Sequence, residues 1–101
     1  MESGELGMKK PCVYIISNHS HSTIYVGVTS DIVQRMTQHR NHQFGGFSAR
    51  YNLTHLLHFE EFGSMAEAIA REKQIKSWSR KRKDDLISDN NPSWKDLMEE
   101  I

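Results

Sequence analysis

Residues 13–39 contain two short apolar segments separated by polar residues, and this pattern limits the folds that the chain can adopt. Residues 13–17 and 23–29 are rich in β-branched and aromatic side chains, while residues 18–22 have the turn-forming sequence NHSHS. Segments of this length with a polar interruption predict two antiparallel strands joined by a tight turn. We therefore expect a β-hairpin near the start of the fold.

A helix is predicted directly after this hairpin. Thr29 or Ser30 can cap the helix, and Asp31 then places a carboxylate in its first turn, where the helix dipole favours negative charge. Arg35 and His39 are separated by one helical turn and share one face of the helix. We expect these two side chains to point to a common surface.

The predicted hairpin places two tyrosines on one surface. Side chains alternate along a strand, so Tyr14 and Ile16 share a face of the first strand, as Tyr25 and Gly27 do in the second. Antiparallel pairing can bring Tyr14 and Tyr25 to the same side of the sheet. A strand tyrosine alone is more often a packing residue, but two phenols near a guanidinium and an imidazole form a candidate active site.

The middle of the chain predicts a loop followed by a third strand. Residues 41–52 are rich in glycine and polar residues and are expected to form the loop. Residues 53–62 are apolar and aromatic enough to form a strand. A three-stranded antiparallel sheet is therefore expected.

Further helices are predicted towards the C-terminus. Ser64 and Glu67 fit a capping box that opens a helix extending to about residue 78. Residues 81–88 favour another helix, and Asn91 followed by proline fits the start of a last short one.

These elements predict an α/β fold of the α+β type, with a small three-stranded antiparallel sheet flanked by helices. A chain of 101 residues is long enough for one domain with one modest core. Residues 1–9 show no periodicity and are expected to be a disordered lead-in, with a single domain at residues 10–101.

Glu72 lies on the predicted helix at the border of its apolar stripe, which includes Ala68, Ile69 and Ile75. A carboxylate in such a position is costly unless it is paired or bound to a cation. The spacing leaves two interpretations open, a salt bridge to a nearby basic residue and a metal ligand.

The formal net charge is zero, but the charges are unevenly distributed. Residues 71–83 are strongly basic with Glu72 as their one acid, and residues 84–101 are acidic with Lys95 as their one base. Local field rather than total charge governs contact with a polyanion. A solvated helix face is the simpler interpretation, but we favour contact with nucleic-acid phosphates. The candidates are Lys73, Lys76, Arg80, Lys81, Arg82 and Lys83, together with Arg50 in the preceding loop.

Composition excludes several classes of protein. Hydrophobic residues make up 37% and charged residues 26% of the chain, as in soluble globular proteins. No apolar run approaches the length of about 18 residues that a membrane span needs, and the start of the chain is too acidic for a signal peptide. Cys12 is the single cysteine, so no internal disulfide forms, and six histidines with one thiol disfavour structural zinc. A cytoplasmic location is expected.

Several of these features occur together in one known family. VYI at residues 13–15, YVG at residues 25–27, Arg35 beyond that glycine, and Glu72 further along resemble the GIY-YIG nuclease domain. An ordered set at these spacings is far more specific than a single three-residue motif.

The resemblance is closer to the small single-domain bacterial branch of that family and covers residues 10–97. REKQIKSW at residues 71–78 and NPSWKDL at residues 91–97 are similar to later segments of this branch. One departure is Val28, directly after YVG, where some family members carry a lysine. Thr29 offers only a hydroxyl nearby, which leaves open how the nucleophile is activated.

The resemblance implies catalytic roles for five residues in the hydrolysis of phosphodiester bonds. Tyr14 would be the general base, its phenolate favoured by nearby positive charge, and Tyr25 would position the nucleophile or the phosphate. Arg35 would stabilise charge on the phosphate oxygens, and His39 would contact the phosphate or assist proton transfer. Glu72 would bind one Mg²⁺ or Mn²⁺. The expected supporting residues are Gly27, Thr29 and Asn91.

The resemblance therefore implies a divalent-metal-dependent DNA endonuclease that acts in DNA repair or recombination. A single small domain has little surface for reading sequence, so structure-selective or weakly specific cleavage of branched or damaged DNA is expected. Homodimerisation or a partner protein would then assist targeting. The alternative is a nucleic-acid-binding or adaptor domain that keeps the fold without cutting.

Overall fold

The computed structural model describes residues 9–42 and 47–100, with the backbone alone at residues 47 and 48. Its elements, in order, are β1 (Cys12–Ser17), β2 (Ile24–Thr29), α1 (Ile32–Arg40), α2 (Phe47–Arg50), β3 (His55–Glu61), α3 (Met65–Lys76), α4 (Arg80–Asn90) and a 3₁₀ turn (Leu97–Glu100). The expected lead-in at residues 1–9 lies almost wholly outside the described residues. None of the described helices is long and apolar enough to cross a membrane.

The three strands form one antiparallel sheet in the order β2-β1-β3, which confirms the predicted architecture. Every residue of the central strand β1 is buried, because both of its edges are paired and both of its faces are covered. The pairing of β1 with β3 shifts register between Ile15 and Ile16. β1 is therefore the element on which the rest of the described fold is assembled.

The sheet separates two apolar clusters, as the alternation of side chains along β1 requires. One cluster lies between the sheet and α1, and the other lies between the sheet and helices α3 and α4. The buried members of the first are Cys12, Tyr14, Ile16, Ile32, Met36, Leu53 and Leu56. Those of the second are Val13, Ile15, Val26, Leu57, Ala68, Ile75 and Ile87.

The residue that caps α3 is the predicted one, whereas the residue that caps α1 is not. Ser64 caps α3 as predicted, with its hydroxyl accepting a hydrogen bond from the Glu67 amide at 3.2 Å. The prediction for α1 was wrong, because Asp31 is the cap and accepts from the Gln34 amide at 3.1 Å. The Thr29 hydroxyl instead accepts from the Asp31 amide at 3.1 Å, which fixes the residue that caps the helix.

The segment expected to be a loop at residues 41–52 contains the short helix α2. Asn52 ends this turn in the left-handed region, with φ 55°, and its amide donates to the Ala49 carbonyl at 3.3 Å. Asparagine tolerates this conformation better than most residues. Residues 43–46 lie outside the described part of the chain.

The C-terminal segment differs from the prediction, because Asn91 ends α4 rather than starting another helix. Its amide N–H donates to the Ile87 carbonyl at 2.7 Å. The Asn91 side chain is buried and donates to the carbonyls of Leu57 and Lys95 at 3.0 and 2.9 Å. Its Oδ1 accepts from the Lys95 amide at 3.2 Å. Asn91 therefore links strand β3 to the end of the chain.

Replacing Asn91 with alanine should lower the free energy of unfolding by about 2–3 kcal/mol, because buried backbone groups lose their partners. Chemical denaturation of the two proteins measures the difference. Asn90→Ala is the matched control, since Asn90 is exposed and its side chain bonds only to the Leu86 carbonyl within its own helix. We expect the control to stay within about 0.5 kcal/mol of wild type. Equal effects of the two substitutions would contradict the linking role.

Candidate active site

Tyr14 and Tyr25 lie on the sheet face that α1 covers. Tyr14 pairs across the hairpin with Gly27, and Tyr25 pairs with Ile16. This register places the two rings on the same face, with centroids 6.4 Å apart. Tyr14 is fully buried, whereas Tyr25 is half-buried at the edge strand. The predicted juxtaposition of the two phenols is confirmed.

Helix α1 adds the imidazole and the guanidinium. The Nε2 atom of His39 lies 3.1 Å from the Tyr14 hydroxyl oxygen, and its ring centroid is 6.4 Å from that of Tyr25. Arg35, one turn earlier on the same helix, lies near enough to the Tyr14 phenol for its guanidinium to lower the pKa of that phenol, against the larger effect of burial. The structure therefore brings four of the five predicted catalytic side chains together at one face.

Gly27 allows the Tyr14 ring to lie against the backbone of β2. A Cβ atom at position 27 would be 2.5 Å from both Cζ and the hydroxyl oxygen of Tyr14. Contacts this short do not occur between carbon atoms, so any larger residue would displace the phenol. The glycine of the YVG motif is explained by this close approach.

Burial controls the protonation of the Tyr14–His39 pair. Burial raises the pKa of Tyr14 to about 12, and the Arg35 guanidinium opposes this rise only in part. The Arg35 charge does favour the phenolate, as expected, but desolvation of the charged form is the larger effect, so the pKa of Tyr14 rises on balance. Burial also lowers the pKa of His39, with a smaller contribution from the charge of Arg35. At neutral pH the pair is a phenol beside a neutral imidazole.

Glu72 lies on α3, which contacts β2 and β1 from the opposite face of the sheet. Its side chain is 14% exposed, and Oε2 is 3.1 Å from the Lys76 Nζ atom. The same ammonium lies 5.5 Å from the centroid of the Tyr25 ring. The salt bridge left open by the sequence is present, and it links Glu72 to Tyr25 through Lys76. The spacing of Lys76 one turn after Glu72 indicated the ion pair, but nothing in the sequence indicated the contact of Lys76 with Tyr25.

The donor set near Glu72 fits a hard divalent cation. No cluster of three or more histidine, cysteine, aspartate or glutamate side chains surrounds a possible metal position among residues 9–42 and 47–100. Mg²⁺ is commonly bound by one or two carboxylates, with water and substrate phosphate completing its coordination. The ammonium of Lys76 lies 3.1 Å from Glu72 Oε2, so the surroundings of this carboxylate accommodate positive charge.

The basic residues at 71–83 are partly neutralised by the acidic residues that follow them. On α4, Arg80 contacts Asp84 at 2.8 Å and Lys81 contacts Asp85 at 3.3 Å. Arg80 also donates to the carbonyls of His21 and Ser22 in the hairpin turn, at 2.6 and 3.0 Å. Arg80 therefore attaches α4 to the hairpin.

Three other predicted phosphate-contacting residues are exposed. Lys73 projects from α3, and Arg50 lies 5.7 Å from the ring centroid of Tyr51. Arg82 stacks on Trp78, with its guanidinium carbon 4.2 Å from the ring centroid. Lys83 is half-buried. These cations stay on the surface, where a polyanion can reach them.

Two of the predicted supporting residues have structural contacts. Thr29 positions the cap of α1, the helix that carries Arg35 and His39. Asn91 links β3 to the C-terminal segment, as described above. Gly27, by contrast, touches the candidate active site directly.

Replacing Gly27 with alanine should move the Tyr14 ring and break its contact with His39. Overpacking of this kind costs about 1–3 kcal/mol, which chemical denaturation would detect. Gly63→Ala is the control, because a Cβ there would meet Glu67 Oε1 at an ordinary 3.5 Å. A change at Gly27 as small as the one at Gly63 would contradict the close approach.

The protonation of Tyr14 can be followed by tyrosinate absorbance, as the difference between wild type and Tyr14→Phe. We expect its midpoint near pH 12, compared with about 10 for tyrosine in solution. The native phenol keeps its proton above the pH at which the unfolded phenol loses it. Tyr14 therefore stabilises the fold below about pH 10, and this contribution is lost as pH rises through the folded pKa. A midpoint at or below the solution value would overturn the assignment.

Comparison with known proteins places the chain in a family. The model for the GIY-YIG catalytic domain matches residues 10–85. A UPF0213 protein from Staphylococcus saprophyticus is 34% identical over 82 residues, which covers 81% of this chain and 99% of that protein. A UPF0213 protein from Haloquadratum walsbyi is 31% identical over 77 residues, covering 76% and 85% of the two chains.

A solved structure supports the fold. The solution NMR structure of a UPF0213 protein from Bacillus halodurans aligns with a TM-score of 0.56 at 24% identity, covering 87% of this chain and 93% of that one. At this identity the likeness concerns the fold alone. Together with the family match, it agrees with the three-stranded sheet and flanking helices described above. The chain belongs to the GIY-YIG domain family, a family of nuclease catalytic domains, and is similar to the small UPF0213 proteins of bacteria and archaea.

Proposed function

We propose that the protein is a divalent-metal-dependent endonuclease that hydrolyses DNA phosphodiester bonds. The observation that carries the proposal is the contact between Tyr14 and His39 beside Arg35 and Tyr25. This face combines a proton donor, a proton acceptor and a fixed positive charge, which are the groups that phosphodiester hydrolysis requires.

Tyr14 and His39 act together as the general base in this proposal. A phenol with a pKa of about 12 is almost fully protonated at neutral pH and cannot remove a proton from water on its own. His39 is neutral, and its Nε2 atom accepts the phenolic proton when the ring carries its other proton on Nδ1. As Tyr14 takes a proton from the attacking water, it passes its own proton to His39.

Arg35 and Tyr25 act on the phosphate. The guanidinium of Arg35 has a planar set of donors that matches two phosphate oxygens and stabilises charge in the transition state. Tyr25 is half-buried at the edge strand, so its phenol is accessible to a substrate on this face. Its role is to orient the phosphate or the attacking water.

Glu72 holds Mg²⁺ or Mn²⁺ through a carboxylate oxygen in the proposed enzyme. When bound, the cation supplies Lewis-acid stabilisation of the phosphate and of the leaving oxygen. The exposed and unneutralised cations Lys73, Arg82 and Arg50 are the main contacts with the DNA backbone, and the half-buried Lys83 and the ion-paired Lys76 add to them. Arg80 and Lys81 contribute less, because Asp84 and Asp85 partly neutralise them.

The proposed substrates are branched or damaged DNA, as arise in repair and recombination. The described face offers few side chains for reading base sequence, so selectivity for DNA structure is the better fit. A second copy of the chain or a partner protein would add the surface needed for targeting.

A non-cleaving DNA-binding or adaptor role is the alternative, and two observations favour it. The protonated phenol of Tyr14 and the ion pair of Glu72 with Lys76 are both stable arrangements without substrate. A binding domain would keep them unchanged. Cleavage requires both to be altered when DNA and metal bind.

The test is cleavage of linear, nicked, branched and single-stranded DNA in the presence of Mg²⁺ or Mn²⁺. Tyr14→Phe, Arg35→Ala and Glu72→Gln should each reduce cleavage about 100-fold or more, because each removes a group used in the transition state. Glu67→Gln is the control on the same helix, and its exposed side chain lies outside the proposed site. We expect the control to cleave like wild type.

Salt-dependent binding of the whole panel by wild type without any cutting would favour the adaptor role. Cleavage that persists in all three site variants would contradict the proposed active site.

A further inference from the structure

The ammonium of Lys76 contacts two groups of the proposed active site at once. Its Nζ atom lies 3.1 Å from Glu72 Oε2 and 5.5 Å from the centroid of the Tyr25 ring. The Glu72 side chain is 14% exposed, while the Lys76 side chain is 46% exposed. The lysine therefore bridges α3 and the edge strand β2.

We propose that the Lys76 ammonium occupies the position on Glu72 that a divalent cation takes in the active protein, and that it shifts towards Tyr25 and the phosphate when that cation binds. This inference rests on the proposed endonuclease function and names a regulatory role for a residue of that same site. In it, Lys76 is a positioning residue that acts through Glu72 before it approaches substrate.

The charge of Glu72 is the first reason to expect that a divalent cation replaces the Lys76 ammonium. A carboxylate that is largely removed from water needs a positive partner. The ammonium supplies that partner without metal, at 3.1 Å from Oε2. An ammonium and a divalent cation repel one another, so they cannot share one carboxylate oxygen at close range.

The second reason is that Lys76 has an alternative position nearby. The face of an aromatic ring attracts a cation, and Tyr25 already lies within range of the ammonium. The flexible stem of lysine allows its head group to move by a few ångströms without moving the helix. Released from Glu72, the ammonium would add positive charge on the side of Tyr25 where a phosphate approaches.

Titration of the DNA-free protein with Mn²⁺ by calorimetry tests the first half of the proposal. Lys76→Met removes the competing charge but keeps a straight side chain with high helix propensity. Loss of an ion pair of this exposure should tighten Mn²⁺ binding about two- to fivefold. Lys95→Met is the matched control, because it removes a lysine–glutamate pair with Glu100 outside the site. Its Mn²⁺ affinity should equal that of wild type.

Cleavage kinetics at saturating Mn²⁺ test the second half. Lys76→Met should reduce kcat about tenfold, although it binds Mn²⁺ more tightly. Lys76→Arg restores positive charge and should recover part of kcat while weakening Mn²⁺ binding again. A residue that only stabilises the helix would not change metal affinity and kcat in opposite directions.

Unchanged or weaker Mn²⁺ binding by Lys76→Met would contradict the proposal that Lys76 occupies the cation position on Glu72. Tighter Mn²⁺ binding with unchanged kcat would contradict the proposed movement of Lys76 towards the phosphate. A twofold or greater tightening in a protein that never cuts DNA would support the occupancy of Glu72 by Lys76 and would contradict the endonuclease function instead. Failure of the inference and failure of the proposed function therefore give different results.

Discussion

The ring of Tyr14 lies directly on the backbone of Gly27, and the arrangement of the candidate site depends on this close approach. The pairing of β1 with β2 sets the height of the phenol above the sheet. The phenol in turn meets His39, which α1 holds through its own buried residues Ile32 and Met36. Tyr14 therefore belongs both to the apolar core and to the candidate active site. Such a site is rigid, because its central residue cannot move without disturbing the packing of the sheet.

Desolvation dominates the electrostatics of this site. One guanidinium is not enough to ionise a phenol that is buried against a sheet. The imidazole beside it is also kept neutral, so the buried pair carries no charge of its own. Positive and negative charges are found instead at the periphery, on Arg35 and on the Glu72–Lys76 pair. In the proposed function, a phosphate entering this face would bring negative charge beside the guanidinium of Arg35.

The features that were predicted from the sequence are those that local pattern controls. The alternation in residues 13–17 and 23–29 was enough to place Tyr14 and Tyr25 on one face, and the helical spacing placed His39 beside them. The contacts of Asn91 and Arg80 were not predictable in this way. Asn91 meets a carbonyl 34 residues away, and Arg80 meets carbonyls of the hairpin turn 58 and 59 residues away. Such partners become neighbours only after the sheet has formed.

The pairing of individual charges could not be predicted from the sequence for a related reason. Along the sequence, basic and acidic residues form separate blocks, which favoured a strong local field. Once α4 forms, Arg80 and Lys81 lie one turn from Asp84 and Asp85, so the boundary between the blocks becomes a row of ion pairs. Only the helix geometry shows which cations remain exposed.

The links between β3 and the C-terminal segment bear on where this fold can be divided. The family match ends at residue 85, yet Asn91 bonds to the Leu57 carbonyl and Asp96 accepts from the Leu56 amide at 3.2 Å. Asp96 also pairs with Arg40 at the end of α1. These bonds cover part of the outer edge of β3, which would otherwise present unpaired backbone groups to other chains. A segment transferred into another protein as a fusion should therefore extend beyond the catalytic motif, at least to Asp96.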